Sequence, residues 1–158
     1  MSIRLEVSAE TNAPVQAVWD VLIDWTGQSR WIPLTTVRVI TDHEVGVGVR
    51  AEALSGIRLG RIPLGLLDRF IVTGWCPPTA DTAELEILHL GPYFTGDGVF
   101  RLIGHDGLTT VSCTEVFSIP GGRPLEWPAR LALPALRAGR ARSLRALSAL
   151  SEAQRSTR

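Results

Sequence analysis

The chain has 158 residues, 45% of them hydrophobic, which suits one globular domain (1–158) with a substantial core and is too short for two comfortable ones. Sixteen basic residues balance sixteen acidic ones, so the net charge of zero argues against an electrostatic hold on nucleic acid or an acidic membrane surface. Every basic residue is Arg, which closes off Schiff-base chemistry from a lysine amine.

The opening Met1-Ser2-Ile3-Arg4-Leu5-Glu6 lacks the apolar stretch of a signal peptide, and no apolar run reaches the roughly 18 residues that would span a bilayer. The expectation is a cytoplasmic protein with no membrane span. Cys76 and Cys113 fall on separate expected strands and read as two buried free thiols. Neither a disulfide framework nor a zinc site is encoded by their spacing, and no cofactor is expected.

Ile3, Leu5 and Val7 alternate with Arg4, Glu6 and Ser8, predicting a first strand with one apolar face. The period then changes. Asn12-Ala13-Pro14 reads as a helix start with Pro in the first turn, and Val15, Val18, Trp19 and Leu22 follow at helical spacing as far as Asp24. The segment 24–33 carries Trp25 and Trp31 and predicts a second short helix or an ordered loop closed by Pro33.

Strand patterns return at 37–41, 47–54, 67–75, 82–90, 98–103 and 108–119, with Gly, Pro and Asp punctuating the connections. The stretch 55–66, rich in Gly and branched apolar residues, reads either as a mobile flap or as a long hairpin connection. After Gly121-Gly122-Arg123-Pro124 and Trp127, a helix is predicted over 135–153. Leu136, Arg140, Ser143, Leu144, Leu147 and Leu150 share one of its faces, with Arg142 and Arg145 opposite.

The hairpin built from 98–103 and 108–119 carries the most chemistry. A turn at Gly104-His105-Asp106-Gly107 sets Ile103 opposite Leu108. Phe100 and Leu102 then share a face with Thr109, Val111, Cys113, Glu115 and Phe117, so an acid points inward among apolar neighbours. A carboxylate so placed needs a partner or has a purpose, because burial penalises its charge.

Continuing the register, a turn at Gly91-Pro92 places His89 on the face of Phe94, Phe100 and Glu115, and a turn near 77–80 brings Asp68, Phe70 and Val72 onto it with Asp68 beside His89. An Asp-His pair in a dry pocket is an arrangement that tunes a general base. Glu115 and Arg140 form a second candidate pair, either a structural ion pair or a site where Arg140 reads a ligand oxygen. His43 and His105 read as solvated turn residues, and Tyr93 as an edge-packing residue or a donor near a pocket mouth. No nucleophile elbow, metal-binding His-Glu spacing or phosphate loop is present in the sequence.

A strand, two short helices, six further strands and one long C-terminal helix predict an α+β fold in which a curved seven-stranded antiparallel sheet wraps the last helix. Gly46, Gly48, Gly74, Gly96 and Gly98 sit where such a sheet has to bend.

This order resembles the helix-grip (SRPBCC) superfamily of START domains, birch-pollen-allergen-like proteins and bacterial polyketide cyclase/dehydrase-like proteins. The resemblance spans nearly the whole chain. It is carried by Asn12-Ala13-Pro14 with Val18-Trp19, Leu22 and Asp24, by Trp31 with Pro33, and by Asp68-Arg69-Phe70 with Trp75 and Pro77-Pro78. Gly96 to Val99, Thr110-Val111 with Thr114-Glu115, and the terminal arginine-leucine helix extend it. The resemblance implies a container fold that hosts carriers, sensors, cyclases and partner-binding modules without one shared catalytic set.

The first functional expectation is a monomer or homodimer that binds a small hydrophobic molecule (a polyketide, lipid or aromatic metabolite) between the sheet and the last helix. Its walls would be Phe70, Phe100, Leu102, Val111, Phe117, Leu136 and Leu147, with polar contacts from His89, Glu115 and Arg140 and an entrance guarded by Trp25, Trp31 and the 55–66 stretch. The alternatives are a cyclase or dehydratase acting by proton transfer through His89, Asp68 or Glu115, and a partner-binding module without a ligand.

Overall fold

The computed structural model describes residues 2–59, 62–121, 128 and 130–155. Gly60, Arg61 and the 122–127 segment with Trp127 lie outside the described residues.

Seven strands form one antiparallel sheet: β1 (Ile3–Thr11), β2 (Thr35–Val39), β3 (Arg50–Leu59), β4 (Ile62–Thr79), β5 (Thr82–Pro92), β6 (Thr95–His105) and β7 (Leu108–Ser118). Their order in space is β1-β7-β6-β5-β4-β3-β2. Helix α1 (Val15–Leu22) and a 3-10 helix (Thr26–Arg30) connect β1 to β2, and the long helix α2 (Leu133–Arg155) ends the described chain. This is the α+β helix-grip architecture, with two short helices between the first two strands.

Alternation dictates the strands. Along β5, Ala83, Leu85, Ile87 and His89 are buried while their neighbours are not, and along β7, Thr109, Val111, Cys113 and Glu115 are buried in the same rhythm. The β6–β7 turn is tighter than expected: His105 pairs with Leu108 around the two residues Asp106 and Gly107, both at positive φ. Those are the dihedrals of a two-residue hairpin turn, for which Asp-Gly is a favoured pair. Ile103 therefore faces Thr110 and not Leu108. The slip is two residues, so the parity is kept and every side chain stays on its expected face.

The 55–66 stretch is no separate flap in its described backbone. β3 and β4 continue as an antiparallel ladder out to Leu59 opposite Ile62. At Gly96 a Cβ would lie 2.0 Å from the Val116 carbonyl oxygen, so only glycine lets β6 approach β7 there. Cys113 is buried as expected, whereas Cys76 is exposed: it follows the inward Trp75 and points outward by the same alternation.

Helix α1 buries Val15, Val18, Trp19, Val21 and Leu22, with Trp19 packed edge-on to Trp75 at 5.1 Å. The two halves of α2 behave differently. In its C-terminal half, Leu144 and Leu147 are fully buried and the small residues Ser143, Ser148 and Ser151 are buried beside them, which lets the helix lie down on β1 and α1. Thr11 Oγ1 donates to the Ser148 carbonyl at 3.3 Å and to Glu152 Oε1 at 2.9 Å, tying the helix to the end of β1. In the N-terminal half, every position from 134 to 139 is exposed. No helix of the described residues is long and apolar enough to cross a membrane.

Candidate functional site

The docked half of α2 leaves its hollow elsewhere. Over β2 to β5, on the inward face of the sheet, a cavity of about 160 Å³ remains, and its roof is the connection between α1 and β2. Leu22, Trp25, Gln28, Trp31 and Ile32 come down from that connection.

The roof is held by local hydrogen bonds. Asp24 Oδ1 accepts from the Gly27 backbone N–H at 3.0 Å, and its other oxygen meets Arg30 Nη2 at 2.5 Å. A Cβ on Gly27 would fall 2.1 Å from Asp24 Oδ2 and 2.6 Å from Arg30 Nη2, so a larger residue there would have to displace that ion pair. The indole N–H of Trp25 donates to the Glu44 carbonyl at 2.9 Å. Gln28 is buried and reaches back to the Leu22 carbonyl.

The sheet supplies the floor. Leu85, Ile87, Phe70 and Phe100 are its apolar part, and Thr35 and Ser55, hydroxyl to hydroxyl at 2.9 Å, line one end. Phe94, in the β5–β6 turn, packs against both His89 at 5.0 Å and Phe117 at 5.8 Å.

Two polar pairs project into this space. Asp68 Oδ2 and His89 Nδ1 lie 2.7 Å apart, with both side chains largely buried. An ionised carboxylate only accepts, which puts a proton on Nδ1, and in the neutral imidazole Nε2 is then an acceptor. The ring sits over Gly98, whose Cβ would lie 3.3 Å from Nε2 and 3.0 Å from Ile87 Cγ1, so a side chain at 98 would crowd the imidazole.

Gly98 pairs across the sheet with Glu115, and Glu115 Oε1 accepts from Arg140 Nη2. Burial by itself lowers the Arg140 pKa. The negative charges of Glu115 and Asp68, with the Glu115 hydrogen bond, outweigh it and hold the guanidinium above the ordinary arginine value. Beneath this pair, burial pushes the Cys113 thiol up to about 12, with Arg140 opposing and Glu115 adding to the effect, so it stays an inert thiol.

Among the described residues, three buried side-chain polar atoms have no hydrogen-bond partner: Trp31 Nε1, Asp68 Oδ1 and His89 Nε2. All three belong to residues that line the cavity. A second depression, of about 310 Å³, lies near the β4–β5 turn, where Arg101 is already bonded to Glu84 and no such orphaned atom is found. The inner cavity is therefore the candidate site.

Of the residues singled out from the sequence, Trp31, Asp68, Phe70, His89, Phe100, Glu115 and Arg140 come together around it. Leu102, Val111 and Leu147 share the inward side but are packed in the solid part of the core. Phe117 stands behind Phe94, and Leu136 is 44% exposed on the overhanging half of α2. The expected walls on the last helix thus reduce to Arg140, because α2 descends onto β1 just beyond it.

Tyr93 is exposed and not part of the lining. Leu85 and Ile87 were missed although the alternation that places His89 places them too. Gln28 and Ile32 lie in a connection without any period to read, and Thr35 opens β2 ahead of its apolar alternation. Among the described residues, no group of three or more His, Cys, Asp or Glu is arranged to hold a metal ion.

No family model matches the sequence, and no curated protein matches it either. Solved structures do. The Zhui aromatase/cyclase from Streptomyces sp. R1128 is similar with a TM-score of 0.71 and 19% identity, over 100% of this chain and 97% of that one. A hypothetical protein of Helicobacter pylori, jhp0584, is similar with a TM-score of 0.72 and 15% identity, over 96% and 88%. The Thermus thermophilus protein TTHA0849 is similar with a TM-score of 0.69 and 12% identity, over 96% and 99%. The sheet order, the gripped C-terminal helix and these likenesses across nearly full length agree on one point: this chain has the helix-grip fold.

Proposed function

We propose that the protein binds a small hydrophobic molecule in the cavity beneath Trp25 and Trp31. The observation that carries this reading is the set of three unpartnered polar atoms, on Trp31, Asp68 and His89, in one cavity walled by aromatic and aliphatic side chains. Leaving a buried donor or acceptor unpaired costs about 1–3 kcal/mol each, a penalty that a bound guest with matching groups removes. Apolar contact with Phe70, Phe100, Leu85 and Ile87 adds about 25 cal/mol per Å² of surface taken from water.

The test is native mass spectrometry of the protein purified from its own host. A retained non-covalent organic mass that is absent from a His89→Ala, Trp31→Phe double variant is the expected result. A mass that survives in that variant would place binding elsewhere.

A second reading, a cyclase or dehydratase working by proton transfer, is favoured by the Asp68–His89 contact with Nε2 left free. His89 Nε2 would take a proton from the bound molecule, Asp68 would hold the resulting imidazolium, and the Trp31 N–H is a donor in the same cavity for the oxygen that gains charge. Arg140 is less suited to that task while Glu115 engages it. The kinship in fold with an aromatase/cyclase supports this reading as one use of such a container, without naming a substrate. Turnover that collapses in His89→Ala is the expected outcome for an enzyme. Turnover unaffected by that change would remove the reading.

A further inference from the structure

We infer that the cavity takes a neutral molecule of a single ring carrying at least one hydroxyl group, an inference that rests on the binding reading above and narrows it. Size comes first. The cavity measures about 160 Å³. An apolar cavity of about 150 Å³ holds one benzene, whereas sites for drug-sized ligands begin at about 300 Å³. A fused three-ring skeleton or an acyl chain exceeds the space, and one substituted ring fills it.

Polarity comes second. His89 Nε2 and Asp68 Oδ1 are both acceptors without a donor, and Trp31 Nε1 is a donor without an acceptor. The guest must therefore donate toward the Asp68–His89 pair and accept from the indole. A hydroxyl does both, whereas a carboxylate or phosphate can only accept.

Charge comes third. Glu115 and Arg140 neutralise one another, and a neutral imidazole beside the Asp68 carboxylate leaves the site one negative charge, which repels an anion and tolerates a neutral phenol or alcohol. The aromatic side chains of Phe70, Phe94 and Phe100 in the lining complete the match to a ring.

The experiment titrates the full-length protein with phenol and the three benzenediols, whose hydroxyl spacings scan the distance between the two polar ends. Toluene serves as the apolar match, benzoate as the anionic match and a hydroxyanthraquinone as the large one. Calorimetry gives affinity, and the Trp31 indole and His89 ring resonances report location.

At least one hydroxylated ring should bind about tenfold or more tightly than toluene and benzoate, moving both resonances. Trp31→Phe should lose most of that preference. In this titration the inference would be overturned by toluene or benzoate binding as tightly as any phenol, by the anthraquinone binding most tightly at the same resonances, or by no single-ring probe moving either resonance at millimolar concentration. A host-derived guest of larger size in the mass-spectrometric test would overturn the single-ring class and leave small-molecule binding standing. An inner cavity that retains no guest there, together with silent resonances here, would end both.

Discussion

A carboxylate and a guanidinium drawn from opposite elements, β7 and α2, meet at the inner edge of the cavity, and each is tolerable only because the other is there. Glu115 is almost wholly buried, and Arg140 keeps about a quarter of its side-chain exposure. Removing one member of such a pair strands the other, which costs about 3–5 kcal/mol when both are deeply buried. The residual exposure of Arg140 sets the expectation near the lower end. Arg140→Met should destabilise the protein by about 3 kcal/mol in urea unfolding, and adding Glu115→Gln should recover at least half of that. A double variant no more stable than Arg140→Met would show that Arg140 acts through packing alone. Both residues were legible in the sequence, Glu115 from strand parity and Arg140 from helical spacing, because each period carries its own face with it. Their meeting was only a possibility until the helix had a position.

At the scale of elements, the strands on the β2 side of the sheet are stitched on their outer surface by one acid between two arginines. Arg38 Nη2 donates to Glu52 Oε2 at 2.8 Å, and Arg69 Nε donates to Oε1 at 3.0 Å, crossing β2, β3 and β4. The hydrogen bonds from Arg38 and then Arg69 hold the Glu52 pKa below its ordinary value of 4.5, with burial opposing them weakly. A carboxylate depressed in the folded state contributes stability that is present above its unfolded pKa and is lost as pH falls through the folded one. Glu52→Gln should thus lower the melting temperature at neutral pH by an amount worth under about 1 kcal/mol, since both arginines are exposed. The difference from the parent should shrink as pH drops below 4.5 and vanish in stronger acid. A difference that persists in acid would assign the effect to side-chain packing.

Element boundaries were the least legible part of the fold. β3 to Leu59 and β4 from Ile62 run through the stretch that could have been a flap, and β2 begins at Thr35, two residues before its apolar alternation starts. Ladder hydrogen bonds join main-chain groups and ignore side-chain pattern, so strands extend beyond what alternation marks.

For the molecule as a whole, the position of α2 decides what the protein can hold. Its serines and leucines bring the C-terminal half down onto β1 and α1, and its N-terminal half stands clear of the body, with open space around Gly139. Leu147→Ala should therefore cost about 3 kcal/mol in denaturant unfolding, the range for truncating a buried leucine. Leu136→Ala should change stability by less than about 0.5 kcal/mol. Equal effects at the two positions would mean that the whole helix is docked.

Sequence periodicity alone determined the element order, the α+β class and the inward set on each strand, since alternation is a local property and survives a two-residue error in a turn. Only the tertiary structure decided where the hollow lies. That depends on how close two elements approach, which is set by small residues such as Ser143, Ser148 and Ser151 on the helix and by the aperiodic Trp25 to Ile32 connection that forms the roof. Distances between elements are the joint outcome of many side-chain volumes, and no single stretch of the chain encodes them.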